Sequence, residues 1–447
     1  MSPDALITHL VGASALILVA AHAAGWAARR LGQPYIAGQL VAGMALGPSL
    51  LGGVAPGVYA RLFPEEIDTA LTGFAQFALV VFLFAVGYEL DLKVLGDRAR
   101  TTVTVALASF VVPMAAGTGG ALLFREQLSG LGMPRDPSPA VLVFAGLALS
   151  ITAVPVLTAI VRENGLAPTV PGVVAVSAAG LLDVVCWTVL AGTMLDSGDG
   201  HALTWPWRLL LAAGFVVLML LAARPLLRRL LWRAGTSPAL RPALLIGFAL
   251  ASAGVSHAVG LHVIFGALLA GVVTPREPDG TLDPDLLRPL NDVGSLLLPF
   301  FFVISGRAVT LNTMGTAGWI ALLAVTVLAV LTKVGSGTAA ARLGGLGRQD
   351  ARIVGVLLSA RGLTELIALD AGLRAGLLSP DLYTVLVFMA LATTLLTQPL
   401  LRLTRPQGGG KRTRPPCDTG PAARPAKGQT APAGQDGTRA APVADLS

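Results

Sequence analysis

Apolar runs long enough to cross a bilayer recur along most of this chain, and that recurrence limits the fold more than any motif does. A helix needs about 20 mainly apolar residues to cross roughly 30 Å of hydrocarbon. Such runs lie near residues 5 to 28, 34 to 52, 70 to 89, 100 to 124, 138 to 162, 170 to 195, 207 to 232, 240 to 257, 260 to 275, 289 to 306, 316 to 341, 351 to 373 and 380 to 404. Only helices and closed barrels satisfy their backbone inside lipid, and no strand-like alternation replaces these runs. The expectation is an all-α polytopic membrane protein of about 13 transmembrane helices, with residues 1–404 as its membrane domain. Composition agrees, since 54 % of the 447 residues are hydrophobic and 13 % charged, at a mean hydropathy of +0.73; ordinary soluble domains carry about 25 % charge.

A net charge of +7 would suggest nucleic acid in a soluble protein. Here the basic residues fall in the short loops between runs, so no nucleic-acid partner is expected and the charges set orientation instead. Loops after odd-numbered runs hold Arg29, Arg30, Lys93, Arg98, Arg228, Arg229, Arg233 and Arg342, among others, while the opposite loops hold chiefly Arg61, Arg125, Arg135, Arg208 and Arg374. The positive-inside rule then puts the N-terminus outside the cell membrane and the C-terminus in the cytoplasm. The first run has Asp4 before it and Arg29 and Arg30 after it, the pattern of an uncleaved span rather than a signal peptide. Cys186 and Cys417 stand in a span and in the tail, so no disulfide is expected. Residues 405–447, rich in Gly, Pro, Ala and Thr, read as a disordered cytoplasmic tail with too little to bury for a regulatory nucleotide-binding domain.

The chain also repeats itself. Pro34 to Gly43 resembles His262 to Gly271, and Phe82 to Leu92 resembles Phe301 to Leu311, in the same order. Two halves follow, repeat one near 5–195 and repeat two near 240–404, with a linking helix near 207–232. Matching run one to run eight shifts the second copy by an odd number of crossings and inverts it, an architecture of secondary transporters with a site at mid-membrane.

Asp183 lies mid-span with no charged neighbour in sequence within about two helical turns. A carboxylate there costs about 2.5–3.5 kcal/mol on insertion scales, which makes it a candidate ion or proton site. Lys333 is the second such charge; only four of the 32 basic residues are lysines, and the other three lie in loop or tail. A buried lysine, unlike arginine, can lose its proton. The pair is expected to face each other, with a monovalent cation and a proton competing for Asp183. Runs five and twelve are interrupted, by Pro155 within Leu149 to Pro155 and by Gly362 within Ser359 to Glu365. Broken helices crossing at mid-membrane leave carbonyls and dipole ends free to face an ion, and Ser150 and Thr152 can add hydroxyl oxygens. Arg361 and Glu365, four apart, are read as a structural pair supporting the crossing. Glu89 and Arg307 occupy nearly equivalent places in the two repeats and are read as a bridge between halves. His257 and His262 flank one external turn and offer a pH sensor there, against the plainer reading of surface histidines with no specific role.

These segments resemble the monovalent cation:proton antiporter-2 family, which includes sodium:proton exchangers, plant cation/proton exchangers and the Kef potassium efflux systems. The resemblance covers about residues 5 to 404 and rests on Gly32 to Pro48, Leu149 to Leu157, the segment around Asp183, Leu331-Thr-Lys333 and Ala360 to Ile367. It implies the sodium:proton antiporter fold, and a homodimer whose core domain moves as an elevator against a dimerisation domain. It also implies Asp183 as the shared site and Lys333 as the core lysine. The chain departs from the family at Leu182, where Asn, Asp or Gln is usual, and at Gln39, where Glu is common. One titrating acid makes one cation for one proton the simplest stoichiometry and leaves Na⁺ or K⁺ open. A gated potassium efflux pathway is disfavoured by the short tail, and a carrier of organic solutes would need a larger cavity and no Lys333. No His/Cys/acid cluster has ligand spacing, so neither an enzyme nor a bound cofactor is expected.

Overall fold

The computed structural model describes residues 2–89, 98–196, 205–231, 240–258, 263–276, 282–311 and 314–404. Each predicted run is helical among them. In chain order they are α1 (Pro3–Arg30), α2 (Tyr35–Ala45), α3 (Asp68–Glu89), α4 (Ala99–Leu123), α5a (Pro139–Ser150) with α5b (Val154–Glu163), and α6 (Val170–Asp196). Helix α7 (Trp205–Leu218) is prolonged by Met219–Ala223 and Arg224–Leu231. The second half holds α8 (Leu240–Ala258), α9 (Val263–Val273), α10 (Pro284–Arg307), α11 (Thr316–Leu343), α12a (Arg348–Leu358) with α12b (Leu363–Arg374), and α13 (Pro380–Thr404). Ten described helices are long and apolar enough to cross a membrane, with α2 and α9 shorter and apolar. Lys93, Arg233, His262, Cys417 and the tail from residue 405 lie outside the described residues.

Local sequence explains where these helices start. The Ser2 hydroxyl accepts from the Ala5 N–H at 3.3 Å with Pro3 opening α1, and Ser138 does the same for Val141 at 3.4 Å with Pro139 opening α5a. Capping oxygens followed by a proline at the first helical position suit a terminus whose N–H groups have no partners. Asp4 in the first turn of α1 and Arg29 and Arg30 in its last turn oppose the helix dipole.

Packing mirrors the sequence repeat. Helix α1 packs on α2 as α8 packs on α9, α4 on α5a as α11 on α12a, α4 on α6 as α11 on α13, and α2 on α10 as α9 on α3. Equivalent glycines make equivalent approaches. A Cβ at Gly38 would meet the Ala24 carbonyl, and one at Gly266 the Ser252 carbonyl. A Cβ at Gly43 would meet the Phe302 carbonyl, and one at Gly271 the Phe84 carbonyl. Small residues that let backbones touch are the usual solution for helix packing in lipid. Most of the extensive pairings fall within two groups, α1–α3 with α8–α10 and α4–α6 with α11–α13.

One expected bridge is replaced by another. Arg307 does not meet Glu89; its guanidinium grips Asp68 with two bonds of 2.5 and 2.7 Å. Inversion is the reason, because equivalent places in two inverted copies end on opposite faces of the membrane. Glu89 closes α3 at one end with Asn291 beside it, whereas Arg307 closes α10 beside the start of α3. His257 is exposed near the end of α8.

Candidate ion-binding site

The first interruption is a stretch of extended backbone, and the second is a turn at Ser359 that leads to an extended Gly362. Helix α5a ends at Ser150, Ile151 has φ −63° and ψ 143°, and Ala153 has φ −87° and ψ 100° before α5b begins. Pro155 has no N–H, so the Ile151 carbonyl loses its helical donor. Helix α12a stops at Leu358, and α12b restarts after Gly362, which is extended at φ 163° and ψ −135°. The two breaks cap each other. The Ala153 N–H donates to the Ala360 carbonyl at 3.1 Å, and the Thr152 hydroxyl donates to the Leu358 carbonyl at 3.0 Å.

Two buried cations close the C-terminal end of α5a. Arg361, 1 % exposed, donates to the Ala148 and Leu149 carbonyls at 2.6 Å each and to Glu365 Oε1 at 2.6 Å. The Thr394 hydroxyl in turn donates to the Arg361 carbonyl at 2.7 Å. Lys333, fully buried, donates to the Ser150 carbonyl at 2.5 Å and to Thr152 Oγ1 at 2.7 Å. Unpaired carbonyls carry the negative end of the helix dipole, so positive charge is favoured there. The carbonyls that the sequence suggests would face an ion are thus met by the protein's own guanidinium and ammonium.

Asp183, midway along α6, is 1 % exposed. It makes no ion pair within 4.0 Å with Lys333, although the ammonium is near enough for its charge to be felt. That departs from the expected face-to-face pair, and the cause is the crossing, where the end of α5a and the break after it offer the lysine the Ser150 carbonyl and the Thr152 hydroxyl. Asp183 Oδ2 has no hydrogen-bond partner. The carboxylate lines a cavity of about 10 Å³ together with Ile151, Cys186, Trp187, Leu190, Thr364 and Ala368, near the smallest volume that holds a single water. Asp183, Cys186, Trp187 and Leu190 recur at i, i+3, i+4 and i+7 and so form one face of α6. Thr364 and Ala368 stack one turn apart on α12b.

Ser150 and Thr152 are therefore positioned differently from the sequence expectation. The Ser150 hydroxyl donates to the Phe110 and Gly146 carbonyls, and the Thr152 hydroxyl is occupied by Leu358 and Lys333. Neither lines the cavity of Asp183. Pro155 and Gly362 sit at the breaks as expected, and Arg361 and Glu365 pair across one turn. Thr364 is the cavity residue that no charge marks in the sequence, although it lies within the segment Ala360 to Ile367; a polar residue in the first turn of a restarted helix is the signal that singles it out.

Residues 16–403 match the family described as sodium/hydrogen exchanger, transmembrane. The chain belongs to that family. It is 32 % identical over 394 residues to Cation/H(+) antiporter 19 of Arabidopsis thaliana, covering 87 % of this chain and 48 % of the relative. It is 32 % identical over 380 residues to Na(+)/H(+) antiporter NhaS4 of Synechocystis, covering 83 % and 91 %. The chain spans about half the length of its Arabidopsis relatives. The solved sodium proton antiporter MjNhaP1 from Methanocaldococcus jannaschii superposes with a TM-score of 0.65 at 16 % identity, over 89 % of this chain and 98 % of that one, a likeness of fold. In this exchanger-family chain the position before the aspartate, Leu182, is 1 % exposed in an apolar cluster with Ala178, Ala179 and Leu358, and does not line the cavity.

Proposed function

We propose that the chain is a secondary antiporter that exchanges a monovalent cation, Na⁺ or K⁺, for protons across the cell membrane at Asp183. The observation that carries the reading is the carboxylate itself, buried mid-span with an oxygen that nothing in the protein satisfies. Buried acids are ordinarily paired or hydrogen-bonded. An acid left open beside a water-sized space can take a proton or a dehydrated cation but has no room for an organic solute. The relatives' names support the class of cargo, since they include a Na(+)/H(+) and a K(+)/H(+) antiporter.

Proton and cation occupy Asp183 in turn, so each empties the site for the other, and exposing it alternately to the two sides exchanges them. The two helix groups supply the division this requires: α4–α6 with α11–α13 carry the site and slide as an elevator against α1–α3 with α8–α10, linked by α7. Inverted repeats near 5–195 and 240–404 relate the inward- and outward-facing states by exchange of the two halves' conformations about a pseudo-two-fold axis in the membrane plane. Lys333, seated on Ser150 and Thr152, holds a positive charge beside the site, and those two oxygens become available to a cation only if the ammonium leaves. Arg361 and Glu365 hold the crossing closed. A homodimer, an external N-terminus and a cytoplasmic tail complete the proposal.

Inside-out vesicles containing the protein test it. Addition of Na⁺ or K⁺ collapses an imposed pH gradient, with an apparent KM that rises as pH falls because protons compete for the carboxylate. Asp183→Asn abolishes the response; wild-type exchange by that variant overturns the assignment.

A further inference from the structure

Among the described residues, two buried polar atoms without partners belong to side chains that line the same cavity: Asp183 Oδ2 and Thr364 Oγ1. Each residue is 1 % exposed, and they come from different helices, α6 and the first turn of α12b. Unsatisfied buried hydroxyls are uncommon and call for an explanation. Thr393 and Thr397 on neighbouring α13 find an acceptor by donating back to their own helix, and the other unpartnered hydroxyls, Ser109, Ser305, Thr326 and Thr338, lie away from this cavity. Thr364 has no such bond. Ile151, whose carbonyl Pro155 deprives of its helical donor, lines the cavity as well.

Resting on the reading of Asp183 above, we infer that the Thr364 hydroxyl is the second side-chain ligand of the transported cation, facing Asp183 across the cavity. Carboxylate, hydroxyl and water are the hard oxygen donors suited to small unpolarisable cations. The side chain before Asp183 supplies no ligand, and a hydroxyl from the broken helix supplies one in its place. A bound cation then ties α6 to α12b, whereas a proton sits on the carboxyl alone. Cation and proton thereby leave different sets of helices joined, a differential contact of the kind alternating access needs.

The test is cation-driven proton flux in proteoliposomes holding the full chain and a trapped pH dye, in Na⁺ and K⁺ series at alkaline pH. Thr364→Val keeps the shape and removes the oxygen; losing one neutral ligand raises the apparent KM about tenfold while the maximal rate stays within about twofold of wild type. Thr364→Ser, which keeps the oxygen, retains a near wild-type KM. A wild-type KM for both cations in Thr364→Val overturns the inference, and so does a Thr364→Ser variant as impaired as the valine, since that marks a packing role. Should Thr364→Val fail to reach the membrane, the KM of Thr364→Ala against Thr364→Ser decides in the same way. Asp183→Asn measured alongside separates the two readings. Exchange surviving in Asp183→Asn removes the site altogether, whereas a dead Asp183→Asn with an unaltered Thr364→Val removes only the threonine.

Discussion

Arg361→Ala should be the most damaging single change at the crossing, and its cost can be worked from the contacts. The guanidinium donates to the Ala148 and Leu149 carbonyls and to Glu365, all at 2.6 Å and all buried. Removing one partner of a buried ion pair costs about 3–5 kcal/mol because the other charge is stranded. Each carbonyl left without a donor adds about 1–3 kcal/mol. Together these reach the range of a whole domain's stability, about 5–15 kcal/mol. Arg361→Ala should therefore yield little folded protein, with a large loss of unfolding free energy in a denaturant titration in mixed micelles. The double change Arg361→Ala with Glu365→Leu should be milder, since it removes the stranded carboxyl while leaving only the carbonyls unmet. Arg361→Lys should fall between, because an ammonium keeps the charge and three donors but gathers them on one nitrogen, whereas the three acceptors here are met by two. A loss under about 1 kcal/mol for Arg361→Ala, or a double variant no better than the single, would refute the view that this guanidinium holds the two broken helices together.

Two further outcomes follow from the same geometry. Lys333→Gln keeps donors for the Ser150 carbonyl and Thr152 but removes a charge that opposes a bound cation and a bound proton alike. Its apparent KM for cation in proteoliposomes should fall at alkaline pH and converge on wild type in acid; curves that run parallel across the range would make Lys333 a cap and nothing more. Gly271→Ala sets a methyl against the Phe84 carbonyl of α3, and overpacking of this kind costs about 1–3 kcal/mol. Its thermal midpoint in detergent should drop clearly, while Gly192→Ala, with open space around it, should not lower it.

Much of the architecture was legible because lipid imposes simple rules. The apolar runs marked the ten described helices long enough to cross and the shorter α2 and α9, Pro155 and Gly362 marked both breaks, and Gly38 and Gly43 aligned with Gly266 and Gly271 in sequence as they do in packing. What the sequence could not reveal was which donor reaches which acceptor first. Lys333 and Asp183 are the two conspicuous charges, so pairing them was natural. The ammonium instead turns to the Ser150 carbonyl, whose availability depends on backbone geometry that no side-chain identity announces. Arg307 misled for a different reason, since likeness in sequence between inverted copies means separation across the membrane, and its partner Asp68 stands 239 positions away. Thr364 is inconspicuous beside the charged Glu365, although Glu365 turns one oxygen to Arg361 and lies outside the cavity that the threonine lines.

The reciprocal closure of the two breaks bears on how the protein is made. Thr152 and Leu358 are 206 positions apart, and Arg361 stands 213 from Ala148. At about 5–20 residues per second, the ribosome takes roughly 10–40 s to deliver the second broken helix after the first. During that interval the end of α5a sits in the membrane with its carbonyls unmet, so the early half must be sheltered by the insertion machinery or by water until its counterpart arrives. Assembly of this chain is in that sense completed late and all at once, with residue 361 as the clasp.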